Sequence, residues 1–296
     1  MMKNNDFEIY GAVLAKYHGR DKVVTVPEGV AVIDQSAFYG CYEMEEVILP
    51  KGVVRLERSA FAECQNLKKV LLPQGLDTIG DTVFENCQKL VDIELPLSLQ
   101  YIGRMAFAKC LSLRKIKIPK NVTRLSYGTF MADSSLEQVE LPLYMSSIGE
   151  CAFYFCKNLQ EIEVPDSVDG IHPDTFYGCN GLKRGYIPKI ILDYYRREEQ
   201  IIFTTLYLCN PKRYVGWEVA MYDKFVQEFK MELCEHILEV KSLEAMKGIL
   251  GKQILSQKEM DQWIDKARRS GDVEFTAKLL QAKKEYFEEE TDMWDV

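Results

Sequence analysis

Residues 67–90 read LKKVLLPQGLDTIGDTVFENCQKL, and the phase of this stretch decides the fold. Proline recurs 23 residues apart at Pro27, Pro50, Pro73, Pro96, Pro119, Pro142, Pro165 and Pro188. Phenylalanine keeps the same step at Phe38, Phe61, Phe84, Phe107, Phe130, Phe153 and Phe176. Seven repeats without an insertion predict a solenoid, in which each coil contacts only its neighbours. Within the quoted unit, Leu67, Val70 and Leu72 suit a short strand facing inward. Pro73 has no N–H to donate and ends the strand. Leu76 and Ile79 are apolar again, and Val83, Cys87 and Leu90 at i, i+4, i+7 predict a short helical turn. No single coil buries its apolar face alone, whereas a stack buries all of them.

The columns persist along the chain. Val47, Val70, Ile93, Ile116, Val139 and Ile162 share one strand position. Six of the nine cysteines, Cys41, Cys64, Cys87, Cys110, Cys156 and Cys179, share another. Stacked at one site, they read as small buried hydrophobes and not as a disulfide framework. Asp133 occupies that site in the fifth coil and predicts a local irregularity, and Gly185 weakens the last strand. Before the first proline, residues 7–26 are strand-like with a turn at Gly19-Arg20-Asp21, which predicts a hairpin cap over the open end.

The segments Leu90-Val-Asp-Ile93-Glu-Leu95-Pro96, Ile102-Gly103 and Ala106-Phe107-Ala-Lys-Cys110 resemble BspA-like leucine-rich repeats, and the likeness covers about residues 7–188. It implies an extended bacterial β-rich solenoid from a family with many secreted or cell-surface members that bind host or bacterial partners. After Pro188 helical periodicity replaces the 23-residue step. Val219, Tyr222, Val226, Phe229, Leu233 and Ile237 follow helical spacing, and Trp217 and Trp263 are expected in the core. Ser242 to Leu250 aligns with Asp272 to Leu280, and residues 236–287 resemble degenerate ankyrin-type helix pairs. The acidic tail Glu288 to Val296 is expected to fray. The expected architecture is therefore an α/β repeat solenoid of seven 23-residue coils with an N-terminal β-hairpin cap, over residues 1–188. An all-α domain follows over 189–296.

The net charge of −8, divided evenly at −4 on each side of Pro188, argues against general nucleic-acid binding. No secretory leader opens the sequence and no window is apolar enough to span a membrane; with free thiols, this predicts a cytoplasmic protein. His18, His172 and His236 are far apart, and no motif for nucleophilic, metal or phosphate chemistry is present. Neither catalysis nor a cofactor nor a metal is expected. What varies between coils is charge on the outward strand positions. Lys68, Lys69, Arg114, Lys115, Lys117, Glu137, Glu140, Glu161, Glu163, Lys183, Arg184 and Tyr186 are the candidate partner-binding residues. Bands of alternating sign suit either a structural ion-pair ladder or a face that recognises a charged peptide or protein. The function expected is a protein-interaction scaffold that uses the exposed strand face, the helical module or both; the alternative, implied by the resemblance, is a secreted or cell-surface adhesin or carbohydrate-contacting protein.

Overall fold

The computed structural model describes residues 6–190, 192–214 and 216–287, with the backbone alone at Asp92. The acidic tail from Glu288 lies outside these residues. The chain divides into two compact units, Met1–Gly181 and Leu182–Val296.

The first unit opens with a hairpin of β1 (Phe7–Tyr10) and β2 (Val13–Tyr17). Its turn lies at Gly11, where φ is +61°, a conformation that glycine adopts without a Cβ penalty. The expected turn at Gly19 instead joins β2 to the next strand. The reason is that β2 serves the solenoid: it pairs in parallel with the first coil, Leu14 opposite Ile33. Its Tyr17 ring lies 5.2 Å from Phe38 and heads the phenylalanine column.

Each coil then contributes two short strands where the sequence suggested one. The first series is β3 (Val23–Thr25), β5 (Glu46–Ile48), β7 (Lys69–Leu71), β9 (Asp92–Ile93), β11 (Lys115–Lys117), β13 (Gln138–Glu140) and β15 (Glu161–Glu163). The second is β4 (Val32–Ile33), β6 (Arg55–Leu56), β8 (Thr78–Ile79), β10 (Tyr101–Ile102), β12 (Arg124–Leu125) and β14 (Ser147–Ile148). Both run parallel with a register advancing one repeat per strand, Val24 to Val47 to Val70 to Ile93 and Ile33 to Leu56 to Ile79 to Ile102. Both sheets are interrupted at the same place. The first stops at β9 and resumes at β11; the second stops at β10 and resumes at β12.

The segment carrying each phenylalanine is not helical. In the second coil the amides of Ser59, Phe61 and Glu63 donate to Asp81, Val83 and Glu85 of the next coil at 2.8–2.9 Å. Between them Ala60, Ala62 and Cys64 donate three residues back at 3.1–3.3 Å. The alternation requires left-handed backbone at Ser59 (φ +55°) and Glu63 (φ +62°). An apolar i, i+4 spacing fits such a turn as well as it fits a helix, so periodicity alone could not separate them. The result is a spine of stacked rings, Phe38 through Phe176, with centroids 4.8–5.7 Å apart and planes within 5–21°.

The cysteine column is explained by the same stacking. Cys64, Cys87, Cys110, Cys156 and Cys179 each donate their thiol to the phenylalanine carbonyl of an earlier coil, at 3.0–3.3 Å. A small apolar side chain with a weak donor fits that site, and the cysteines are free. In the fifth coil Asp133 is fully buried. Its Oδ1 accepts the Cys110 amide at 2.7 Å and its Oδ2 has no partner. Burial pushes its carboxyl well above the usual range.

The second unit contains β16 (Arg184–Tyr186), α1 (Arg197–Cys209), α2 (Gly216–Val240), α3 (Leu243–Gly251), α4 (Gln257–Arg269) and α5 (Val273–Phe287). Ser256 and Glu259 form a reciprocal capping box on α4, and Ser242 caps α3. Helices α1 and α3 meet at Gly248, where a Cβ would collide with the Leu208 carbonyl oxygen. The core is a tyrosine knot: Tyr207 stacks on Tyr222 at 4.8 Å, and Tyr214 stands edge-on to both. Trp263 is buried as expected, but Trp217 is 53% exposed. It sits in the first turn of α2.

Candidate functional site

The outward strand positions form ion pairs up the stack. Parallel pairing sets Lys117 opposite Glu140, and their side chains meet at 2.8 Å. Arg114 reaches Glu137 at 3.4 Å. Glu45 lies between Lys68 at 2.6 Å and Lys22 at 2.9 Å. The hydrogen bond from Lys68, then that from Lys22, pulls its carboxyl down to about 2. Lys68, Arg114, Lys117, Glu137 and Glu140 are thus rungs of a structural ladder. Rungs this exposed add little to stability, because water and salt screen them and two long side chains must be held in one geometry. Lys69 stands on β7 beside Asp92, Glu161 on β15 beside Gln138, and Glu163 is exposed at the end of β15.

The remaining candidates separate. Lys183 and Arg184 belong to the second unit. There they line a hollow of about 240 Å³ with Lys241, Ser242, Glu244 and Lys278, of which Lys241 is paired with Asp272 and Lys278 with Glu274. Tyr186 corrects the expectation that it is exposed. It is buried at 5%, edge-on to Tyr214 and covered by the Arg213 guanidinium 4.0 Å from its ring. It keeps the outward parity of its strand, but the chain after the repeats covers it.

Lys115 differs from its neighbours. It is exposed, stands opposite Gln138, and has no ion pair among the described residues. It borders a groove of about 680 Å³ at the interruption of the first sheet, with Ile93, Glu94 and Leu95 on one side and Lys115 to Lys120 on the other. Leu97 and Leu143 form its apolar walls at 65% and 79% exposure. Lys120, on the turn between them in coil order, is also exposed and without an ion pair among the described residues. The groove therefore combines an aliphatic lining with two uncommitted cations.

Leu97 and Leu143 were missed by the sequence reading, although a signal exists. The residue after the repeat proline is Glu28, Lys51, Gln74, Lys120 and Asp166 in the other coils. Leucine at that solvent-facing turn breaks the pattern without serving the core.

No helix among the described residues is long and apolar enough to cross a membrane. No curated protein is found to match this chain. Among solved structures it is similar to a leucine-rich repeat protein of T. pallidum, TpLRR, at 26% identity and a TM-score of 0.45, covering 56% of this chain and 92% of that one. A leucine-rich repeat protein of Bacteroides ovatus matches at 24% identity and a TM-score of 0.36, covering 64% and 63%. The pneumococcal vaccine antigen PcpA matches at 17% identity and a TM-score of 0.39, covering 55% and 39%. The model of the BspA-type leucine-rich repeat region matches residues 17–137 and 126–197, more than half of the chain, in six copies. That span holds the parallel register from Val24 onward and the whole phenylalanine spine, and on it the chain belongs to the BspA-type leucine-rich repeat family.

Proposed function

We propose that this protein is a non-enzymatic binding scaffold that captures an acidic, leucine- or phenylalanine-bearing segment of another protein in the groove between Leu97 and Leu143. The observation that carries the reading is the groove itself: exposed aliphatic walls beside Lys115 and Lys120, whose charges no described carboxylate neutralises. Most other candidate charges on this face meet an opposite charge one coil away, so they contribute little to a partner. Apolar walls supply affinity through burial, and the lysines supply orientation and on-rate. The largely buried, unpaired thiols suit a reducing compartment, which supports placement in the cytoplasm.

The test is binding of a fluorescent ten-residue peptide carrying alternate Glu and Leu to the full chain, against a Lys/Leu peptide of the same length. The acidic peptide should bind, Lys115→Glu with Lys120→Glu should weaken it at least tenfold, and affinity should fall more steeply with salt in the wild type than in the double variant. Equal affinity for the two peptides, or for wild type and double variant, removes the reading. Labelling of intact cells with a membrane-impermeant reagent tests the compartment; modification of the protein there favours a surface role.

A further inference from the structure

We propose that Glu150, His172 and Asp174 form a divalent-cation site that ties the sixth coil to the seventh. The three side chains each offer a ligand atom, and these atoms lie within 4.8 Å of one another. Glu150 comes from the coil of Phe153; His172 and Asp174 come from the coil of Phe176. They are one repeat apart in sequence and meet only because the coils stack. No local spacing motif could reveal them, and the sequence reading accordingly expected no metal.

The residue types break the repeat at each point. His172 stands where preceding coils have Gly149, Ser126, Gly103 and Gly80, and Asp174 stands where they have Cys151, Gly128, Met105 and Thr82. Small or neutral turn residues thus give way together to an imidazole and a carboxylate, beside a second carboxylate. The Asp174 amide donates to His172 Nδ1 at 3.2 Å, which places the ring proton on Nε2; an ion bound at Nδ1 takes that lone pair and displaces this hydrogen bond. Asp174 Oδ2 lies 3.9 Å from the same nitrogen. Two ligands held about 2.1 Å from a tetrahedral ion stand roughly 3.4 Å apart, so the bite needs only a small closure. Glu150 is exposed, and its carboxylate reaches the ion by rotation about its own side-chain bonds.

One imidazole and two carboxylates suit a borderline first-row ion, with water completing its shell. Such a clip fastens the sixth coil to the seventh within the first unit. Co²⁺ alone is the probe, added to the full chain under reducing conditions. One Co²⁺ per chain should bind with weak visible ligand-field bands and no intense sulfur-to-metal band. The thermal midpoint should rise with Co²⁺ concentration. His172→Ala and Glu150→Gln should each weaken binding at least tenfold, while Glu163→Gln leaves it unchanged. All three positions are exposed, and circular dichroism of the metal-free variants should match the wild type. Absence of saturable binding, an intense thiolate band, or affinity unaltered in the His172 and Glu150 variants would overturn the proposal.

Discussion

The two units are stabilised in contrasting ways. In the solenoid most buried groups have a counterpart one coil away, Asp77 Oδ1 and Asp133 Oδ2 being exceptions: phenylalanine meets phenylalanine, and each alternate turn amide meets a carbonyl of the next coil. In the helical unit the core is assembled once, around Tyr207, Tyr214 and Tyr222. Polar atoms are left over there: the hydroxyls of Tyr214 and Tyr222, both Glu199 oxygens, His236 Nε2 and Trp263 Nε1 lack partners among the described residues. Repetition satisfies hydrogen bonds because an acceptor that works in one coil recurs in all of them. A unique core satisfies each group separately, and some are missed.

The largest expected effect tests how local the solenoid is. Phe107→Ala removes one ring from a fully buried spine and should cost about 3–5 kcal/mol. Phe84 and Phe130 flank it at 5.4 and 5.6 Å. Hydrogen exchange should therefore quicken in the fourth coil and its two neighbours, with distant coils retaining their protection. Equal loss of protection from the hairpin to Gly181 would show that the first unit melts as one body and would break the contrast.

The same contrast explains how much the sequence disclosed. Columns repeated seven times announced the solenoid, the buried phenylalanines and the cysteine site, because each position was read many times over. The hairpin turn was misplaced to Gly19 because both Gly11 and Gly19 suit a turn, and only the pairing of β2 with the first coil decides between them. The helical reading of the phenylalanine segment failed because the alternating hydrogen bonds are made to another coil, which no local pattern encodes. Tyr186 kept its outward parity yet became buried under Arg213, a contact from beyond the repeats. The groove was half legible: Lys115 was identified, but its leucine walls needed the sheet interruption between β9 and β11 to become a site. Trp217 was assigned to the core on helical spacing that does not fix which face a first-turn residue presents.

A second prediction uses the unsatisfied groups of the helical unit. His236 lies on α2 with Nε2 buried and unpartnered, and burial lowers its pKa from 6.5 to about 4. The unfolded chain therefore takes up a proton below pH 6.5 that the folded chain refuses until about pH 4. Stability should fall as pH drops through this window, on the order of 2–3 kcal/mol. Below pH 4 this contribution levels off. Urea unfolding at pH 7 and at pH 4.5, followed through the helical signal, measures the loss. His236→Leu should flatten it, and a slope unchanged in that variant assigns the effect elsewhere. The depressed carboxyls of Glu45 and Glu259, both near 2, act in a lower window, because their stabilisation begins to disappear only below about pH 4.5.

The smallest effect sharpens the rule by repairing its exception. Asp133 is the one residue of the cysteine site that cannot supply a thiol, and its buried Oδ2 has no partner. Its raised pKa means that the folded chain holds a proton which the unfolded chain releases above about pH 4, so this residue contributes less stability as pH rises. Asp133→Cys should remove that dependence and place a thiol where the Phe107 carbonyl can accept it, as in the other coils. It should stabilise the protein by about 1–2 kcal/mol at pH 7. Asp133→Asn separates the two causes: it removes the titration while keeping an oxygen for the Cys110 amide. Equal gains from both variants would mean that charge burial is the whole defect. A larger gain from cysteine would mean that the column itself, thiol on carbonyl in coil after coil, adds to the stability of the stack.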